Sequence, residues 1–594
     1  MTKPEIAWDL SVVFPSVTDP SIEKAIEYIQ KAADELVTNY QGMIINFSSK
    51  ELLNLLQDYE KYLTETRNLG MFSRLTFSAN MTLPESQKLF DRVNKLQANL
   101  SKKLAFMTLE IGKLVHSKPE LITDKNLANY KHYLEKLKRA VPHQLSEVEE
   151  QLMIEKDQFG IRGWSQLQSK WLNTRMFEVE VEGEKKKLSY GEVNSLLPHP
   201  DRATRKSANQ AIYELLKEDG ELFTSALRNI CNDWVNVTKR RKYDSEMHAS
   251  LIANDIDQKT IDSLLKTIDE SSHIYRRYLQ LKAKLLGLPK LANYDIVAPL
   301  PDAPDITYDY EKAKELSIAA YSKFDEEYAF ATKDMFEKNR VDASARFGKR
   351  NGAFCSSWYK GQSAFILQSF NDSLSGVYTL AHELGHATHD YYFTREQTIL
   401  NSSIPMIVAE TASIFGELLL TDLLLSQAQS DNEKIAIISR VLDGAGMTAL
   451  QVTARAWFEQ DMYDAIKRGE FLDYQTISNF WTKNRDRIYG DIIDWQDVMD
   501  AEWTMKVHYY MANFRFYNYP YVYGQLFVYA LYQKYLEDGK NFVPKFKKVL
   551  SAGSSISPKE IGDIFGLDIS DPEFWKLGIK RFKYFVDELE KLVK

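Results

Sequence analysis

A chain of 594 residues is too long for one compact core, so two or three lobes are expected. Its 44% hydrophobic and 27% charged residues, with 25 Gly and 17 Pro, exclude a disordered, collagenous or low-complexity protein. A net charge of −8, from 83 acidic and 75 basic residues, argues against nucleic acid as a partner, because phosphate binding needs a basic surface.

The opening Met1-Thr-Lys-Pro-Glu5 leads into no apolar run, so no signal peptide is read there. Over 21–151 apolar residues recur three or four apart, as in Leu52, Leu53, Leu56, Tyr59 and Leu63, which predicts long antiparallel helices. Breaks are expected at Pro84, Pro119 and Pro142. Residues 176–190 alternate apolar and charged up to Gly183 and turn basic after it, the pattern of a surface hairpin, with a break following at Pro198-His199-Pro200. A second helical tract is predicted over 202–286, ending at Gly287, and 288–307, rich in Pro, Asp and Ala, forms a long connection. Strand character returns between 353 and 370, where 364–370 is apolar and bounded by Gly361 and Asn371-Asp372. Helices then resume to the C-terminus, interrupted near Gly444, Gly446, Pro520 and Gly553. No stretch approaches the ~18 apolar residues of a membrane span, and no fixed-period repeat is present. Cys231 and Cys355 are too few for a disulfide framework and fit a reducing compartment, so a cytoplasmic location with no membrane partner is expected. The fold class is mainly α, with a small β-sheet just before residue 373.

That sheet leads into the segment that carries chemistry. Asp372 or Ser373 caps a helix whose apolar stripe is Val377, Leu380, Leu384 and Ala387. His382 and His386, four apart, project from one face about a turn from each other, a spacing that lets two imidazoles hold one Zn²⁺. Glu383 between them leans over the water that such a metal activates. With ten histidines in the chain, H-E-x-x-H is a rare accident.

A catalytic zinc normally has three protein ligands and one open position. Glu410 sits among Ile407, Val408, Ala409 and Ala412, where a carboxylate is costly unless paired or metal-bound. Pro405 suits the first helical turn before it. His389 is the rival third ligand, but three ligands along one straight helix reach a tetrahedral ion poorly, so an outer or substrate-side role is preferred for it. Glu417 shares the Glu410 face and either orients an imidazole or makes a structural ion pair.

Over nearly its whole length the chain resembles the oligoendopeptidase F group of the thimet oligopeptidase family of zinc peptidases. The resemblance lies in Trp8-Asp9-Leu10, Pro142-His-Gln-Leu-Ser-Glu-Val-Glu-Glu150 and Gly348-Lys-Arg-Asn-Gly-Ala-Phe354. It continues through His382-Glu-Leu-Gly-His386, Ala409-Glu-Thr-Ala-Ser413, His508 and Phe516-Tyr-Asn-Tyr-Pro-Tyr-Val-Tyr-Gly-Gln525. It implies a helical, ellipsoidal, two-lobed peptidase with a deep central channel and one zinc per chain on the channel floor. It also implies an N-terminal helical domain over 1–200 and a catalytic domain over 201–594. Its pattern supports Glu410 over His389 as the third ligand. It further implies that His508, with Tyr517 or Tyr521, faces the substrate carbonyl; the two tyrosines are taken from a tract that also offers Tyr509, Tyr510, Tyr519 and Tyr523. The expected activity is zinc-dependent hydrolysis of internal bonds of short unstructured peptides, with a metal-activated water as nucleophile and Glu383 as general base. Two alternatives stand beside it. A carboxypeptidase or dipeptidyl carboxypeptidase would capture a terminus with Arg515 or Lys506, and a peptide-binding scaffold would hold zinc without hydrolysis. Oligomeric state is left open.

Overall fold

The computed structural model describes residues 5–301, 307–512 and 514–593. Residues 1–4 of the stretch read for a signal peptide, and 302–306 of the long connection, lie outside them. The described chain is mainly α-helical. Seven short strands, β1 (Met176–Val181), β2 (Glu184–Ser189), β3 (Leu291–Ala292), β4 (Val341–Asp342), β5 (Ala353–Trp358), β6 (Ser363–Gln368) and β7 (Ile493–Asp494), pair as β1-β2, β3-β7 and β4-β6-β5. The chain divides into two compact units, each assembled from three stretches: Met1–Val141, Asp305–Ser426 and Lys534–Asp568 in the first, Pro142–Pro304, Gln427–Gln533 and Ile569–Lys594 in the second.

In the first unit, local signals start the helices that periodicity predicts. Asp19 accepts from the N–H of Ser21 ahead of Pro20–Tyr40. Ser48 and Glu51 form a reciprocal capping box ahead of Ser49–Ala79. Pro84 opens Pro84–Lys103, where its missing N–H costs nothing. Their apolar faces meet in one core that includes Ile22, Ile29, Leu52, Leu56, Val93 and Met107. Burying each such side chain contributes roughly 1.5–3 kcal/mol.

The small sheet of this unit is the platform on which the helix bearing His382 and His386 rests. β6 lies at its centre, parallel to β4 with Val341 opposite Ile366, and antiparallel to β5 with Cys355 opposite Ile366. Every residue of β6 is buried. Phe365 and Leu367 pack on Trp8, Met71 and Leu75. The alternation of a strand turns Ala364 and Ile366 the other way, and the helix Leu374–Glu396 packs on β5 and β6. The loop ahead of β5 is pinned by a buried cation. Lys349 donates to Asp342 Oδ1 at 2.7 Å and to the carbonyls of Asp342, Ser344 and Gln368, while Arg346 grips both oxygens of Asp342.

In the second unit the expected hairpin forms between β1 and β2. Its two turn residues, Glu182 and Gly183, both have positive φ (51° and 85°), as a tight turn matched to strand twist requires. Phe177 and Val179 are buried, and β1 packs on the helix Arg202–Glu218. Asp295, with no exposed surface, accepts from Arg202 at 2.8 Å, Arg205 at 3.0 Å and the N–H of Ala292 at 3.0 Å.

Two expectations for this unit are corrected. Gly444 and Gly446 do not interrupt the chain: the helical run continues from Asp431 to Lys467 through a wide turn at Gly446–Gln451. By length and composition that run resembles a membrane span, with mean hydropathy 1.3 over its most apolar window, half of which is buried inside the unit. Residues 490–512 and 514–518, expected to be helical, are turns, tight helical turns and β7 instead. Gly490, at φ 58°, ends the preceding helix, and Pro520 stands in the first turn of the next, Tyr519–Asp538, where a proline is tolerated.

Candidate metal centre

Ser373 caps the motif helix by accepting from the N–H of Gly376 at 3.1 Å. The helix then carries His382 and His386 on one face, their rings 4.9 Å apart and nearly perpendicular. Glu410 arrives on a different element. It closes the short helix Met406–Ala409 and directly precedes Thr411–Gln427, so it stands at a break and not within a helix. The two elements touch where Gly385 faces Ala412 and Ser413: a Cβ at Gly385 would lie 2.5 Å from the carbonyl oxygen of Ala412. This glycine is what allows the close approach.

Glu410 Oε2 lies 3.2 Å from His382 Nε2 and 3.3 Å from His386 Nε2, and His382, His386 and Glu410 form the group able to hold a metal ion among the described residues. Two atoms bound to one tetrahedral zinc at ~2.0–2.1 Å stand about 3.3 Å apart. The separations therefore fit a shared ion, and two imidazoles with a carboxylate are an N₂O donor set that zinc accepts. Neighbours orient both ligand types. Glu417 Oε1 is 2.7 Å from His382 Nδ1, which assigns the proton to Nδ1 and turns the Nε2 lone pair towards the convergence point. Ser413 donates to Glu410 Oε2 at 2.6 Å. Burial disfavours charge on His382, but Glu410 and Glu417 outweigh it and draw the ring towards its protonated form. The same carboxylates favour any cation at that nitrogen. Burial likewise opposes the charge of Glu410, and the two imidazoles outweigh it, holding the carboxyl well below its ordinary range.

Glu383 is buried, 7% exposed, and burial pushes its carboxyl up, with Glu410 reinforcing and the two imidazoles and the N–H of Cys355 opposing. It lines a cavity of about 530 Å³ together with His386, His389, Asp390, Ser357 and Cys355. His389 stands outside the donor group. It is buried edge-on to Phe393, and burial, aided by His386, lowers its pKa to about 3, so the ring is neutral.

His508, Tyr517 and Tyr521 come together in the second unit. The His508 ring stacks on Tyr517 at 5.2 Å and meets Tyr521 edge-on at 5.9 Å, with the two tyrosines 5.6 Å apart. Burial, then Arg455 and Lys506, lower the His508 pKa, which leaves its ring neutral. Tyr521 is exposed and Tyr517 half-buried, whereas Tyr509, Tyr510, Tyr519 and Tyr523 are buried in the core. Of the two cations named for terminus capture, Lys506 donates to Glu502 at 2.7 Å and Arg515 to the carbonyls of Met511 and Phe514. Sequence reasoning missed Ser357, Cys355 and Asp390. Asp390 lies four residues after His386 on the same helix face, a signal that was present, but the two strand residues had none.

Comparison with known proteins finds relatives along the whole chain. The profile of peptidase family M3 matches residues 195–580, and that of oligopeptidase F matches 119–173. The chain is 27% identical over 597 residues to oligopeptidase PepF of Bacillus subtilis, covering 100% of this chain and 88% of the relative. Among solved structures it is similar to a candidate peptidase of Chlamydophila abortus (TM-score 0.89, 24% identity, 99% and 98% of the two chains). It is also similar to oligoendopeptidase-F of Enterococcus faecium (TM-score 0.71, 22% identity, 96% and 99%). At these identities the structural matches speak for the fold: mainly α with small sheets.

Proposed function

Since the chain belongs to peptidase family M3 and is a metallo-oligopeptidase, we propose that it is a zinc-dependent oligoendopeptidase that hydrolyses internal bonds of short, unstructured peptides, with one zinc held by His382, His386 and Glu410. Convergence of two imidazole nitrogens on one carboxylate oxygen, at separations suited to a shared ion and beside a buried glutamate, carries that conclusion.

When bound, zinc supplies Lewis acidity towards a water and the scissile carbonyl. The remaining work falls to side chains. Glu383 accepts a proton from the attacking water on a carboxylate oxygen and returns it to the leaving amine nitrogen. Its raised pKa suits a group that must both take and give a proton. Neutral His508, or the hydroxyl of Tyr517 or Tyr521, donates to the oxygen on which negative charge develops. β5 is an edge strand of its sheet, so an extended peptide can add to it by main-chain hydrogen bonds, which gives sequence-tolerant binding. The domain division at 200 and 201 and a cytoplasmic location are part of the same proposal.

The test is cleavage of quenched fluorogenic peptides by wild type and Glu383→Gln, with and without chelator and with zinc re-addition. Internal cleavage that chelator abolishes, zinc restores and Glu383→Gln slows by roughly 10²–10⁴-fold is expected. A wild type that binds one zinc and cuts nothing would favour the scaffold. Equal rates on free and amidated C-termini separate the endopeptidase from a carboxypeptidase. The engagement of Lys506 and Arg515 with other partners already favours the former.

A further inference from the structure

The cavity beside Glu383 holds a second carboxylate that peptide hydrolysis by zinc and Glu383 does not use. Asp390 is 9% exposed and lines the same space as Glu383 and His386. Its Oδ1 accepts from the hydroxyl of Ser357 at 2.6 Å, and its Oδ2 meets only the thiol of Cys355, at 3.7 Å. Among the described residues no lysine or arginine lines the cavity, and no cation stands within ion-pair distance of Asp390. A carboxylate taken out of water with one hydroxyl and one weak thiol donor keeps unused acceptor capacity. Burial accordingly pushes its pKa up to about 7, with Ser357, His386 and Cys355 opposing. Neutral His389 adds no positive charge to the space, and apart from the nearby ring of His386 no cationic side chain of the described residues faces Asp390, so a cation is the complement it can still take.

Size and walls agree with that chemistry. A space of about 530 Å³ falls within the range of ligand pockets and admits the longest side chains. Phe354 and Phe393 are among its lining residues and give it apolar wall, against which an aliphatic stem can lie. Because Glu383 and His386 belong to the same wall, a side chain lodged here belongs to a residue flanking the cleaved bond.

We infer that this cavity is the subsite for a basic side chain next to the scissile bond, with Asp390 as the specificity-determining residue and Ser357 as the group that orients its carboxylate. The inference rests on the proposed peptidase activity and names part of its substrate class. Cleavage beside arginine or lysine is the consequence, because the cation of the substrate completes a pair that the protein leaves half-made. Acidic side chains at the same position are disfavoured, since they would meet two carboxylates.

The experiment uses matched quenched peptides that differ at one position, with arginine, lysine, citrulline, norleucine or glutamate placed on each side of the cleaved bond in turn. For wild type, kcat/KM is expected to be at least about tenfold higher for arginine or lysine than for citrulline or norleucine on one of the two sides. In Asp390→Asn the ratio should fall to about one, a change that mere loss of folded enzyme cannot produce, because it scales both rates alike. Inhibition of wild type by short cleavage products carrying arginine or norleucine at that position gives the same discrimination with no variant at all. A wild type that cuts arginine and norleucine peptides equally overturns the subsite while leaving the peptidase standing, and so does an Asp390→Asn protein that keeps its preference. A wild type that cuts none of them overturns both.

Discussion

The imidazole of His382 is held at both ends, by Glu417 at Nδ1 and by the convergence with Glu410 at Nε2. Removing the outer partner should loosen the ring without removing a ligand. Glu417→Gln is therefore expected to weaken zinc by roughly 10–100-fold in a competition with a coloured chelator, while saturating zinc restores most of the activity. His508→Ala acts differently if His508 is the proposed oxyanion donor: kcat should then drop by roughly 10²–10³-fold with zinc stoichiometry intact. At this scale much was legible, since the four-residue spacing of His382 and His386 on a helix specifies a face by geometry alone. Glu417 was readable only as one of two things, and a 2.7 Å contact with Nδ1 distinguishes them. Ser357 and Cys355 left no trace in the sequence, because their nearness to Asp390 arises from strand packing across more than thirty residues.

The motif helix and the chain after Glu410 meet on a glycine, and β5 is anchored through Lys349. Gly385→Ala would drive a methyl into the Ala412 carbonyl, so it should cost roughly 1–3 kcal/mol in a denaturant titration and weaken zinc, since backbone must move. Gly444→Ala is the matched control: its Cβ meets nothing within 4 Å, and a helix gains up to about 1 kcal/mol from the exchange. Lys349→Met leaves Asp342 buried with only Arg346 and should cost roughly 3–5 kcal/mol, read from the urea midpoint. Helices whose caps are local, such as the one after Ser48, were readable from a few residues. The tract 490–518 was not: its aromatic content mimics helical periodicity, and its turns answer to packing around Trp503, Tyr509 and Tyr510, all buried.

All three proposed ligands belong to the first unit. Chelation should thus lower the melting of that unit and speed amide exchange over 382–417, with the second unit's helices unaffected. At zinc a thousandfold above its dissociation constant the difference is about 4 kcal/mol. In the second unit, Asp295 gives an acid limb. Burial raises its pKa, but Arg202, the N–H of Ala292 and Arg205 outweigh that and hold it below the ordinary range. Its contribution is present above the unfolded aspartate pKa near 4 and is lost as pH falls through the lower folded value. Urea midpoints between pH 3 and 6 should fall with acid in wild type and less steeply in Asp295→Asn. Hydrophobic periodicity finds helices, but it carries no information on which distant stretches share a core, so the interleaving of the two units was not readable.

That interleaving has a consequence for how the chain is made. The helix Phe542–Ala552 packs on the motif helix, yet it follows residue 396 by about 150 residues. At translation rates of roughly 5–20 residues per second, the segment that carries the proposed zinc ligands waits about 7–30 s before this neighbour is synthesised. During that interval β5, β6 and the helices Tyr310–Phe324 and Glu326–Glu337 can already cover part of it, but the face that takes Phe542–Ala552 stays open and its histidines can meet any ion that imidazole accepts, so metallation with the correct ion becomes a matter of timing as well as affinity.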